Sequence, residues 1–371
     1  MTRSPTKLAA QDLIDAIKYP EKLGNISLQR WDSLLRVAKR TNLVGRLAEG
    51  VNQTEFSDKL PAQARTHLDS ARILTSHQRE AIEWETRHIG KALESVGTPI
   101  ILLKGAAYAL KNLATAHGRL FGDIDVLVSQ DSINQTEAAL MMHGWVSGHH
   151  DSYDERYYRK WMHEIPPMTH RARGTVIDVH HNILPLTARN TPDAELLLAA
   201  SQPIPNTIFS TLCPADMIIH SATHLFHESE LQNGLRDLFD LDALIKEFSA
   251  QATDFWRELV DRATLLGLAL PLYLALRYTS TILGTDIPAQ TRAELEKTSA
   301  VRQTSIRTLD AIYLRALMPD HPLCGHLSAD IARAAVYLRG HYLRMPPRLL
   351  TMHLGRKLFL RLYRNTSRST K

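Results

Sequence analysis

Cysteine is scarce in this chain: two in 371 residues, Cys213 and Cys324, far apart and in no Cys-x-x-Cys spacing. That excludes a disulfide framework and a thiolate-built zinc site, and it fits a reducing compartment. Long apolar runs are lacking too. The longest uncharged one, "ATLLGLALPLYLAL" between Arg262 and Arg277, is too short for a bilayer and contains Pro271. The opening "MTRSPTKLAAQDLIDAIKYPEKL" has early acids and no apolar h-region, so no secretory signal is expected. These absences predict a soluble, cytoplasmic protein. There is no internal repeat and no low-complexity tract. Acids also run out: none follows Asp330, while ten Lys and Arg residues do, in a chain of formal net charge +5. In that tail Leu350, Leu354, Leu358 and Leu362 form a stripe flanked by Arg356, Lys357, Arg361 and Arg364. Such a basic amphipathic helix suits contact with nucleic acid, a membrane surface or its own domain.

Three regions are expected. Residues 1–96 read as helical, with Trp31, Leu34, Leu35, Ala38, Leu43 and Leu47 at near-helical spacing, and a second long helix capped at Ser76 and stopped by Gly97. Residues 97–190 change texture: "PIILLKG" and "DIDVLVS" read as strands, each followed by a helix. "WMHEIPPMTHRARGTVIDVHHNI" reads as two strands joined at Arg171 to Gly174, with Pro166 and Pro167 marking an edge or a bulge. Residues 191–371 return to helix. The fold class is α+β, a small mixed sheet with helices between helical flanks.

The stretch "ILLKGAAYALKNLATAHGRLFGDIDVLVS", residues 101–129, puts two aspartates inside an apolar strand. Aspartate suits a strand interior poorly. Alternate side chains share a face, so Asp123 and Asp125 project together. Carboxylates that close repel each other unless a cation lies between them, and Mg²⁺ takes hard oxygen ligands together with substrate phosphates. "TVIDVHHNI" supplies a third strand acid, Asp178, near His180. Lys104 offers a point charge for phosphate, and Gly105 lets the backbone approach a ligand.

The order "LLKGAA…GRLFGDIDVLV…VIDVHHNI" resembles the nucleotidyltransferase superfamily with the polymerase-β-type fold. It is most similar to the bacterial group called uncharacterised nucleotidyltransferases. The resemblance is close over the central module and looser over "WDSLLRVAKRTNLVGRL" and "DMIIHSATHLFHESELQNGLRDLFDLDALI". It implies transfer of a nucleoside monophosphate from a nucleoside triphosphate (NTP), such as ATP, to an acceptor, with Mg²⁺ or Mn²⁺ as cofactor. Asp123, Asp125 and Asp178 match its metal-binding and catalytic acids. Gly105 sits where its glycine touches the triphosphate, with Lys104, Ala106 and Arg119 as further nucleotide or phosphate contacts. Gly105-Ala106 departs from the wider pattern of Gly-Gly or Gly-Ser and removes a hydroxyl donor. The acceptor, whether small molecule, glycan, peptide or RNA, stays open. So do two other readings, a toxin-like tRNA-modifying nucleotidyltransferase and a non-catalytic nucleotide-binding adaptor.

Other features carry less. His220, His224 and His227 share a helical face, which suits packing or acceptor contact better than metal binding. "RYYRKWMH", residues 156–163, interleaves aromatic and basic residues as in base stacking, but a half-exposed element explains it as well. Arg236, Asp237, Asp240 and Asp242 lie on one helix, where Asp237 with Arg236 could face the active cleft, but a solvated helix end explains them as well.

Overall fold

The computed structural model describes residues 5–148, 158–159, 161–227, 229–325 and 327–345. The basic tail beyond residue 345, and Arg156, Tyr157 and Lys160 of "RYYRKWMH", lie outside these described residues. The N-terminal region is helical: Leu28–Arg40 buries Trp31, Leu34, Leu35, Val37 and Ala38 on one face. The next long helix is Ala62–Leu93, 32 residues without a break. Ser76 is therefore mid-helix and not a cap. Between Pro61 and Gly90 the sequence contains no Pro or Gly, so nothing interrupts the backbone hydrogen bonds. Beyond this helix a short 3-10 turn ends at Gly97, left-handed at φ +69°.

The described strands form one seven-stranded mixed sheet of order β3-β4-β5-β2-β1-β7-β6. They are β1 (Ile100–Leu102), β2 (Ile124–Leu127), β3 (Trp145–Ser147), β4 (Met168–His170), β5 (Val176–His180), β6 (Gln202–Pro203) and β7 (Phe209–Thr211). β1 and β2 are wholly buried, which explains why both read as continuous apolar runs. Two findings depart from the sequence reading. The helix expected after "DIDVLVS" is short, Ile133–Met142: it stops before Gly144 at φ +96°, and Trp145 starts β3. The return to helix after residue 190 is also incomplete, since β7 lies beyond it and pairs parallel with β1. A strand of three residues has too little alternation to be read from sequence.

Pro166 and Pro167 make a bulge. Upstream, Glu164 bridges His180, and downstream Met168 pairs with Ile177. Residues 165–167 therefore oppose only 178–179, one extra residue on the proline side. Proline has no N–H to lose from the ladder, so the interruption costs little there. The bulge lies opposite Asp178.

On the C-terminal side the Pro214–His227 helix packs against Gly234–Gln251, Phe255–Leu265, Ala269–Tyr278 and Leu327–Arg344. One hydrophobic cluster runs from Ala10 to Val336, so sheet and helical flanks share a core. No helix among the described residues is long and apolar enough to cross a membrane.

Candidate active site

Asp125 sits inside β2 and is 5% exposed. Its Cα partner on the neighbouring parallel strand is Asp178, so the two acids face each other across β2 and β5. Asp123 lies just before β2, exposed, and two residues from Asp125 on the same face. One ligand oxygen from each of these three acids falls within a 4.8 Å cluster.

Asp125 is tied down by two donors. At the end of β1 the chain turns through Lys104, whose φ is +44°, a left-handed conformation that costs a side-chain-bearing residue energy. That turn returns Nζ of Lys104 to 3.2 Å from Asp125 Oδ1. Nε2 of His180 donates to the same oxygen at 3.0 Å. Burial alone would raise the Asp125 pKa, but the Lys104 charge and the His180 hydrogen bond outweigh it and hold the carboxyl well below its usual range. Asp178 behaves in the opposite way. Burial and the charge of Asp125, with smaller contributions from Asp123 and Glu164, push it up to about 7. Its Oδ1 is buried and makes no hydrogen bond.

A buried, unsatisfied carboxylate oxygen beside two more carboxylates is what a hard divalent cation would satisfy, and the three residues fit one. The acid cluster could hold a metal ion.

The residues assigned to phosphate divide into two groups. Lys104 reaches the acids, but its ammonium contacts Asp125. Gly105, Ala106 and Arg119 form the wall behind it. A Cβ on Gly105 would lie 2.7 Å from Arg119 Nη1 and 3.0 Å from Phe121 Cδ1, so only glycine admits this close approach. Ala106 is 1% exposed. Arg119 is buried and donates from Nε to Asp240 Oδ2 at 2.9 Å. Asp240 Oδ1 also accepts from Arg46 Nη2 at 2.8 Å and from Thr115 Oγ1 at 2.9 Å. Asp240 is thus a buried junction linking the N-terminal helices, the 101–129 stretch and the C-terminal helices, not part of a solvated helix end. Desolvation and attraction oppose each other there; the Arg119 and Arg46 charges prevail and lower its pKa. Arg236 and Asp237 pair with each other.

The histidine face lies closer to the acids than its sequence suggested. Burial, then the Lys104 charge, pushes His220 down to about 3 and His224 well below its ordinary value. His227 falls to about 4 through burial and then Arg339. The first two are neutral packing groups beside the Lys104–Asp125 pair.

Sequence reasoning missed His163 and Glu164. A second compact group of metal-binding side chains consists of His163, Glu164 and His180. Only the pairing of residues 163–165 with the end of β5 brings them together, through Ile165 N–H to Val179 O at 3.0 Å and His181 N–H to His163 O at 2.8 Å.

A family model described as uncharacterised nucleotidyltransferase matches residues 27–284, well over half of the chain. The chain belongs to the uncharacterised nucleotidyltransferase family. The matched span takes in both acid-bearing strands, the Lys104 turn, the Asp240 junction and the histidine helix. No curated protein and no solved structure matches the chain.

Proposed function

We propose that this nucleotidyltransferase-family protein moves a nucleoside monophosphate from an NTP to a hydroxyl-bearing acceptor, with pyrophosphate leaving, on a polymerase-β-type core. The observation that carries this reading is the in-register pairing of Asp125 with Asp178, with Asp123 alongside and a ligand oxygen of each within 4.8 Å of the others. Asp123, Asp125 and Asp178 would hold Mg²⁺ or Mn²⁺, which when bound supplies positive charge to the phosphates and a Lewis acid.

The chain's own groups do the rest. Lys104 and His180 keep Asp125 ionised, and Lys104 sets a cation beside the phosphate position. Gly105, Ala106 and Arg119 fix the turn that aims Lys104. Asp178 takes the proton of the acceptor hydroxyl. The acceptor oxygen bonds to the α-phosphorus as the bond to the β-phosphate's bridging oxygen breaks, and the electron pair leaves with pyrophosphate. Little covalent chemistry falls to the protein, so positioning and charge supply most of the rate.

The test incubates purified protein with each α-³²P-labelled NTP, Mg²⁺ or Mn²⁺, and a cell extract separated into protein, RNA and small-molecule fractions. Label is expected in one fraction and absent with Asp123→Ala. Label in RNA would select the tRNA-modifying form of the activity. Label in none, with NTP binding intact, would leave a nucleotide-binding adaptor in place of an enzyme.

A further inference from the structure

We infer that His163, Glu164 and His180 form a second metal site, for one transition-metal ion of the Zn²⁺ class, distinct from the three-aspartate cluster it adjoins. A ring nitrogen of each histidine and a Glu164 oxygen lie within 4.8 Å of one another. His180 Nε2 carries the proton it donates to Asp125, so a neutral ring would have its lone pair at Nδ1. That nitrogen stands 3.2 Å from Glu164 Oε2, and it is buried with no geometrically sound hydrogen bond. In that neutral form two acceptors would oppose each other, and either a proton at Nδ1 or a cation between them resolves the conflict. A tetrahedral ion with bonds of about 2.0–2.2 Å separates its ligands by about 3.4 Å, which suits that spacing.

The independent observation comes from His163. Its ring centroid lies 5.2 Å from that of His180, and its Nδ1 is buried without a hydrogen-bond partner. A proton on His180 would satisfy Glu164 yet leave His163 Nδ1 unpaired, whereas one cation draws a ligand atom from all three residues. The donor chemistry separates the two sites. Two imidazoles and one carboxylate select Zn²⁺, Co²⁺ or Ni²⁺, whereas three carboxylates select Mg²⁺ or Mn²⁺. Backbone pairing of 163–165 with β5 builds the site, immediately before the proline bulge opposite Asp178. An ion there would fix the His180 ring, whose other nitrogen donates to Asp125, and would pin the bulged segment to the sheet.

The site does not depend on the transferase reading, because its test measures metal binding and not activity. The full chain, stripped of metal with EDTA, is titrated with Co²⁺ while visible absorption is recorded. One equivalent should give the intense band of a four-coordinate ion with nitrogen ligands, displaced by Zn²⁺ but not by excess Mg²⁺. Glu164→Gln and His163→Ala should each lose the band and weaken Zn²⁺ binding about tenfold or more. Asp123→Ala should keep both. X-ray absorption of the Zn²⁺-loaded wild type should show two imidazoles, a readout that needs no variant to fold. Absence of Zn²⁺ binding would overturn the proposal, as would a band that survives in Glu164→Gln and His163→Ala but vanishes in Asp123→Ala. A zinc shell without imidazole would overturn it as well.

Discussion

Asp178→Asn should stabilise the metal-free protein at alkaline pH while abolishing transfer. Asp178 pays for ionising in the fold, since its pKa rises from 3.8 to about 7 through burial and the neighbouring Asp125 charge. At 1.36 kcal/mol per pKa unit the ceiling is about 4 kcal/mol. Partial exposure and sharing of the charge with the other two acids reduce this to about 1–2 kcal/mol. The sign follows from proton binding. Between pH 4 and pH 7 the folded state holds a proton that the unfolded chain has released, so stability falls as pH rises through that window. Above pH 7 the penalty is complete, and below pH 4 it is gone. Urea unfolding in EDTA should therefore show the Asn variant ahead by about 1–2 kcal/mol at pH 8 and level with wild type near pH 4. Mg²⁺ should stabilise wild type, by mass action on the folded state, and leave the variant almost unmoved. An Asn variant no more stable than wild type at pH 8, or ahead by the same margin at both pH values, would refute the picture of three carboxylates in conflict.

Asp123→Ala removes an exposed acid, so its melting curve should stay within about 0.5 kcal/mol of wild type while labelled-NTP transfer falls about a hundredfold or more; retained transfer would remove Asp123 from the site. Gly105→Ala drives a methyl against Arg119 and Phe121 and should cost about 1–3 kcal/mol in urea unfolding. A neutral result would mean that Arg119 can swing clear of its partner. Asp240→Asn leaves Arg46 and Arg119 buried with their carboxylate neutralised and should cost about 3–5 kcal/mol. A loss below about 1 kcal/mol by the same assay would show that solvent reaches the junction.

Much of the fold's local grammar was legible in the sequence. The alternation in "DIDVLV" put Asp123 and Asp125 on one face, the Arg171 to Gly174 turn separated β4 from β5, and the paired prolines announced an edge or a bulge, of which the fold has the bulge. Periodicity located the helix that buries Trp31 and Leu34. Each of these depends on neighbours along the chain, and side-chain alternation or helical spacing is a property of one segment alone. The prospective role of Lys104 was legible only as a charge; its left-handed turn and its contact with Asp125 were not.

Pairing between distant segments was decided by the tertiary structure. A shift of one residue would have pointed Asp178 away from Asp125, and only the β2–β5 ladder selects the register that joins them. On the opposite edge of β5, antiparallel pairing with residues 163–165 collects His163 and Glu164 around His180, three residues with no shared sequence motif. Burial turned Asp240 from an apparent surface acid into the anchor of Arg46 and Arg119, and it set Asp125 and Asp178 to opposite proton affinities across one strand pair. Residue type and spacing thus determined which groups this protein brings to its sheet; register and desolvation, which exist only between segments, decided which of them meet and in what charge state.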